Sequence, residues 1–200
     1  MRISRWIPLV FCTTGFAALI YQVVWQRVLY STFGVNVEAV TTVVTAFLAG
    51  LGLGSLAGGR MAKGSDRTLL LLCAGVEIAI GLFGLWSLTF FRSLGSLTLG
   101  MSSITRGATM ALAVMVPTSL MGVTLPLLVA YVVRSTGNVG GTVGLLYFVN
   151  TAGSALAAFA AVLLILGSLG EAKSVDLAAS LNLLVGVFIL AGPFRRSRRA

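Results

Sequence analysis

The chain has 200 residues, of which 58% are apolar and 10% charged, with a formal net charge of +9. A soluble domain carries about a quarter charged residues and somewhat less than half apolar ones, so this composition excludes an ordinary soluble domain. The basic residues stand at the ends of apolar runs and form no aromatic-interleaved patch, which points to membrane topology and away from nucleic acid.

Histidine is absent, and Cys12 and Cys73 each lie inside an apolar run with no CxxC or Cys/His spacing. The commonest general base and the usual zinc ligand sets are thereby removed. Neither a metal nor a cofactor is expected, and the cysteines read as small apolar residues. Each apolar run approaches the ~20 residues that cross a hydrocarbon core. The expected fold is an all-α membrane protein, a polytopic bundle of about six transmembrane helices filling residues 1–194, with a basic tail at 195–200.

The first span covers about 6–33. Arg2 and Arg5 before an apolar run resemble a signal peptide, but the run is too long and no small-x-small site ends it, so an uncleaved helix is expected. A short break at Gly34-Val-Asn-Val leads to the second span, 38–61, and the polar hairpin Arg60–Arg67 to the third, 68–91. Arg92–Arg106, rich in Gly, Ser and Thr, reads as a loose connection. The fourth span, 107–133, contains Pro117 and Pro126 and exceeds what the hydrocarbon core needs, so tilt, a shallow first segment or a kink at either proline is expected. The fifth and sixth spans are 142–166 and 175–191.

With the N-terminus inside, the inner segments hold Arg2, Arg5, Arg60, Lys63, Arg67, Arg134 and the four tail arginines, against Arg92, Arg106 and Lys173 outside. Ten against three is a positive-inside bias, and it agrees with an even number of spans. The expected location is the cell (plasma or inner) membrane, multi-pass, with both termini cytoplasmic.

Small residues mark the expected helix contacts, because close backbone approach drives helix association in lipid. Ala46, Gly50, Gly54 and Gly58 recur at steps of four on the second span, and Gly153, Ala157 and Ala161 do so on the fifth. Gly52-Leu-Gly54-Ser-Leu-Ala57 fits a dinucleotide fingerprint, but without a preceding strand it reads as helix packing.

Polar residues inside the spans are the candidate site. Glu77 lies near mid-membrane, where a carboxylate is costly and must be protonated, paired or facing a wet cavity. It reads either as a proton- or cation-handling group or as a structural acid bonded across to Asn150 or Asn182. Gln22 and Gln26, one turn apart, make a polar face beside Tyr21, Trp25 and Arg27. That segment is either an interfacial belt, with Arg27 snorkelling or paired to Glu38, or a site opening outward. The segment Pro117–Pro126 reads as a kink or as a broken helix that frees backbone groups for a ligand.

Four blocks carry a family resemblance: Gly15–Arg27, Ala49–Arg60, Pro117–Pro126 and Gly144–Gly153. In this order they resemble the membrane domain of spermidine synthase-like proteins, which is often likened to half of a major facilitator transporter. The resemblance implies fusion to a soluble aminopropyltransferase-like domain after the last span. The present sequence reaches Ala200 with no strand-borne Gly-rich loop for a decarboxylated S-adenosylmethionine and no soluble acidic pair for a polyamine. This chain is therefore not expected to catalyse by itself. The facilitator loop between the second and third spans carries an aspartate, and Lys63 stands in its place here.

Three functions follow as expectations. The first is a non-catalytic module that anchors, or supplies substrate to, a separate spermidine synthase-like partner. The second is a small secondary transporter of polyamines or other amines, acting as a homodimer with Glu77 handling charge. The third is a structural subunit of a membrane complex.

Overall fold

The computed structural model describes residues 4–33 and 37–192. They form α1 (Trp6–Phe33), α2 (Val37–Met61), α3 (Asp66–Leu97), α4 (Ser103–Thr136), α5 (Val139–Ala160) and α6 (Leu166–Ala191), with a π-helical turn at Ala161–Ile165. No strand occurs among the described residues. Five continuous helical stretches are long and apolar enough to cross a membrane: Trp6–Ser31, Val40–Met61, Asp66–Leu97, Ser103–Thr136 and Val139–Ala191. The chain is thus all-helical and compatible with a multi-pass membrane protein. Arg2, residues 34–36, the side chain of Glu38 and the arginine-rich tail lie outside the described residues.

Short polar side chains end these helices. Ser65 caps α3 through its Oγ, which accepts from the Thr68 N–H at 3.2 Å. Ser102 does the same for α4 toward Thr105 at 3.3 Å, and Asn138 for α5 toward Gly141 at 2.8 Å. Gly137 ends α4 in the left-handed conformation, φ 68°, where a glycine avoids the Cβ penalty. Helix also claims most of Arg92–Arg106, where a loose connection is expected from composition. α3 continues to Leu97, and only a turn separates it from Ser103. The Ser and Thr hydroxyls there donate back to preceding carbonyls, as Ser96 does to Ser93 at 2.8 Å and Thr98 to Leu94 at 2.9 Å, so they finish the helix rather than interrupt it.

The break in the helical run is not where the prolines suggest. α4 is helical from Ser103 to Thr136 with Pro117 and Pro126 inside it. Pro126 lacks the N–H that the Gly122 carbonyl would accept; Ser55 of α2 supplies the missing donor, its Oγ lying 3.1 Å from that carbonyl. The break falls instead inside α6 at Gly170, with φ 73° and ψ 178°, a backbone region that is essentially glycine's alone. Residues 167–174, expected as a connection, are otherwise helical.

The two ends of the bundle are marked by separate clusters. At one, Arg134 of α4 reaches Asp66 at 2.8 Å and the Ala62 carbonyl at 3.1 Å, and Trp6 packs on Tyr131 and Phe188. At the other, Glu171 lies between Arg27 of α1, at 3.1 Å, and Arg92 of α3, at 3.5 Å. Glu171 and Phe188 belong to the same helix, so α6 after Gly170 runs back from the second cluster to the first.

Glycines set how closely the helices approach. A Cβ on Gly54 would overlap the Ser119 carbonyl oxygen, and one on Gly122 would overlap the Leu51 carbonyl, so the α2 and α4 backbones are in mutual contact. Gly50 and Gly58 extend that seam to Thr118 and Val123, and Ala46 is buried on the same face. On α5, Gly153 meets the Cys12 carbonyl of α1 and Ala157 is fully buried, as is Ala161 at the start of the π-helical turn. Gly52 and Gly59 have open space where a Cβ would stand.

A candidate cavity around Glu77

α3 carries Glu77 eleven residues from its first residue, Asp66, or ~16 Å along the axis at 1.5 Å per residue. The side chain is 1% exposed. Both carboxyl oxygens accept hydrogen bonds, Oε2 from Asn182 Nδ2 of α6 at 2.6 Å and Oε1 from Thr124 Oγ1 of α4 at 3.2 Å. Three helices far apart in sequence therefore meet at one acid. Burying a carboxyl is costly unless its oxygens are hydrogen-bonded, and each oxygen of Glu77 has a donor.

The contact is to Asn182 rather than Asn150. Asn150 donates instead to the Phe11 carbonyl of α1 at 3.2 Å, and Ser154, one turn on, donates to the Gly15 carbonyl at 3.0 Å. These bonds tie α5 to α1 beside the Gly153–Cys12 approach. Asn182 Oδ1 and the Tyr21 hydroxyl are buried and have no partner among the described residues.

Glu77, Asn182, Asn150 and Gln22 all line one cavity of about 260 Å³ at the centre of the bundle. Four of the residues singled out from sequence are thus brought together. Ser55, Thr124, Thr14 and Ser154 complete its polar wall, and Phe47, Leu51, Ile80, Met121 and Leu125 its apolar wall. Tyr147 is the strongly exposed member of the lining. It belongs to α5, which scarcely touches α2 among the described residues.

Gln26 does not join this group. It donates to the Tyr30 hydroxyl on its own helix, so the polar face read from Gln22 and Gln26 divides between the cavity and the helix surface. Tyr21 and Trp25 are not an exposed belt either. Both are buried, stacked at 4.8 Å, and Trp25 packs edge-on against Phe83 and Phe91 of α3. The Trp25 indole N–H donates to Ser87 Oγ at 2.9 Å, because a buried indole needs an acceptor. Arg27 is largely exposed and pairs with Glu171; its expected partner, Glu38, has a side chain outside the described residues.

Sequence reading did not single out Thr124, Ser55, Ser154 or Glu171. Thr124 and Ser55 lie inside segments noted for proline and glycine, and nothing in local spacing distinguishes them from other membrane hydroxyls. Their partners are 47 and 67 residues away. Comparison with family models, curated proteins and solved structures finds no match to this chain.

Proposed function

We propose that the chain is a membrane module of six crossings, with both termini on the cytoplasmic side, that takes a small amine into its central cavity. The observation that carries this reading is the convergence of Glu77, Asn182, Asn150 and Gln22 on one cavity with an acid at its centre. An acid kept at mid-membrane by contacts from two other helices is a functional group by default, and its natural ligand is a cation. The sequence resemblance suggests what the amine is for: supply to a spermidine synthase-like aminopropyltransferase that the module also anchors. The gap between α2 and α5 favours a second use, in which two copies close the cavity's open side and carry the amine across a cell membrane.

Six crossings follow from treating Gly170 as a turn within the long stretch from Val139 to Ala191. The basic residues then divide with the excess inside. Single cysteines placed at Gly64, Gly100, Gly137 and Ala172 in a Cys12→Ser, Cys73→Ala background test the topology. A membrane-impermeant thiol reagent applied outside should label positions 100 and 172 and spare 64 and 137; the opposite pattern, or labelling of 137 with 172 spared, refutes it. For the cavity, liposomes holding the protein should accumulate labelled amine, and Glu77→Gln should abolish this. Uptake equal in the two proteins removes Glu77 from the reading.

A further inference from the structure

Glu77 is the one acid in the cavity lining, and no lining residue is basic. The carboxylate is fixed in advance by Thr124 and Asn182, so its orientation does not depend on a ligand. Beside it, Asn182 Oδ1 is buried and has no donor. The bond from Nδ2 of the same amide to Glu77 keeps this oxygen next to the carboxylate. Two acidic or amide side chains of one cavity thus stand side by side, a carboxyl and an amide with a spare oxygen, and together they suit a group with a single positive charge and more than one N–H.

The rest of the space has a different chemistry. Phe47, Leu51, Ile80, Met121 and Leu125 form an apolar wall, and the remaining polar groups, among them Gln22, Asn150, Ser55 and Ser154, are neutral and include no second acid. A second ammonium placed along that wall would be desolvated with no carboxylate to face it, and an unpaired buried charge is strongly unfavourable. An alkyl body placed there would instead bury apolar surface at no electrostatic cost.

We infer that the occupant is a primary monoamine with an apolar body: its ammonium bridges Glu77 and Asn182 Oδ1, its uncharged end lies against the apolar wall, and diamines and polyamines are disfavoured. This inference rests on the reading that the cavity takes an amine, and it narrows that reading away from the polyamines the sequence resemblance suggests.

The test uses two ligands of equal heavy-atom count, n-pentylamine and 1,4-diaminobutane, which differ by a methyl in place of the second ammonium. Binding of each in labelled form is measured by scintillation proximity on the full chain and on Glu77→Gln in nanodiscs, with protein-free nanodiscs as the blank. Thermal unfolding of the variant establishes that it is folded. The expected result is that n-pentylamine binds at least about tenfold more tightly than the diamine, and that Glu77→Gln loses it. Dimethylation of the amine nitrogen, which leaves one N–H, should also weaken binding by about tenfold or more, because Asn182 Oδ1 then has no donor. Tighter binding of the diamine overturns the monoamine inference and leaves the amine cavity standing. Binding of neither ligand overturns both. Affinity unchanged by methylation removes Asn182 from the site and overturns the bridging arrangement.

Discussion

Gly54→Ala is the sharpest test of how this bundle is held together. A Cβ at position 54 would overlap the Ser119 carbonyl oxygen, while the Ser119 carbonyl carbon would lie 2.8 Å from it and the Gly122 Cα 3.0 Å. All three obstacles are backbone atoms of a helix, so no side chain can rotate out of the way and α2 must move off α4 by about an ångström to reach ordinary contact. A gap of 0.5–1 Å forfeits about a quarter to a half of each pairwise dispersion well. The loss is shared along the seam at Gly50, Gly58 and Gly122. Overpacking of this kind costs ~1–3 kcal/mol, and a rigid obstacle belongs at the upper end, about 2–3 kcal/mol. That is a ~30- to 150-fold rise in the unfolding constant. Gly52→Ala is the control, because the same change two residues away meets open space and gains up to ~1 kcal/mol of helix propensity. Unfolding in mixed micelles on titration with SDS reads both. Gly54→Ala and Gly122→Ala should also be less than additive, since one movement of α2 relieves both overlaps. Equal stability of Gly54→Ala and Gly52→Ala would refute the seam.

Three further outcomes are expected. Ser55→Ala should destabilise by ~1–3 kcal/mol, the cost of a carbonyl left without a donor, because Pro126 cannot return an N–H to Gly122; restoring that donor with Pro126→Ala in the same chain should recover most of the loss in the same SDS titration. Gly170→Ala should cost ~1–3 kcal/mol through backbone strain alone, since its Cβ would meet nothing within 4 Å; Gly167→Ala, also unobstructed, should be neutral or mildly stabilising, and equal effects would mean that the turn needs no glycine. Arg134→Ala should lower stability by no more than about 1 kcal/mol, because its pair with Asp66 is half exposed and screened; a double-mutant cycle with Asp66→Ala that returns a larger coupling would show this end of the bundle to be shielded from water.

How much of this was legible in the sequence depends on the range of the interaction. Helices, and most of their boundaries, follow from local composition, and the small-residue ridges follow from a spacing of four within one helix. The continuation of α3 past Arg92 was missed because a Ser/Thr-rich segment reads as a connection. In lipid, those hydroxyls can complete a helix end by donating to carbonyls one turn back. Gly170 lies inside the connection expected at 167–174, but as one glycine among 24 it is marked as the turning residue only by its backbone, φ 73° and ψ 178°.

The candidate site divides along the same line. Glu77 announces itself, since an acid inside an apolar run has a large energetic signature in a single position. Its partners do not, because Thr124 and Asn182 are ordinary membrane residues until the fold brings them within 3.2 Å and 2.6 Å. The case of Pro126 carries the point furthest. Sequence marks Pro117–Pro126 as a kink or a broken helix that frees backbone groups, without saying which group is freed or what answers it. The answer is a hydroxyl on the neighbouring helix, Ser55, which lies one residue beyond Gly54. The glycine brings α2 close enough for the serine to reach, so seam and proline are one device, and a proline that looked like a break becomes a fastening.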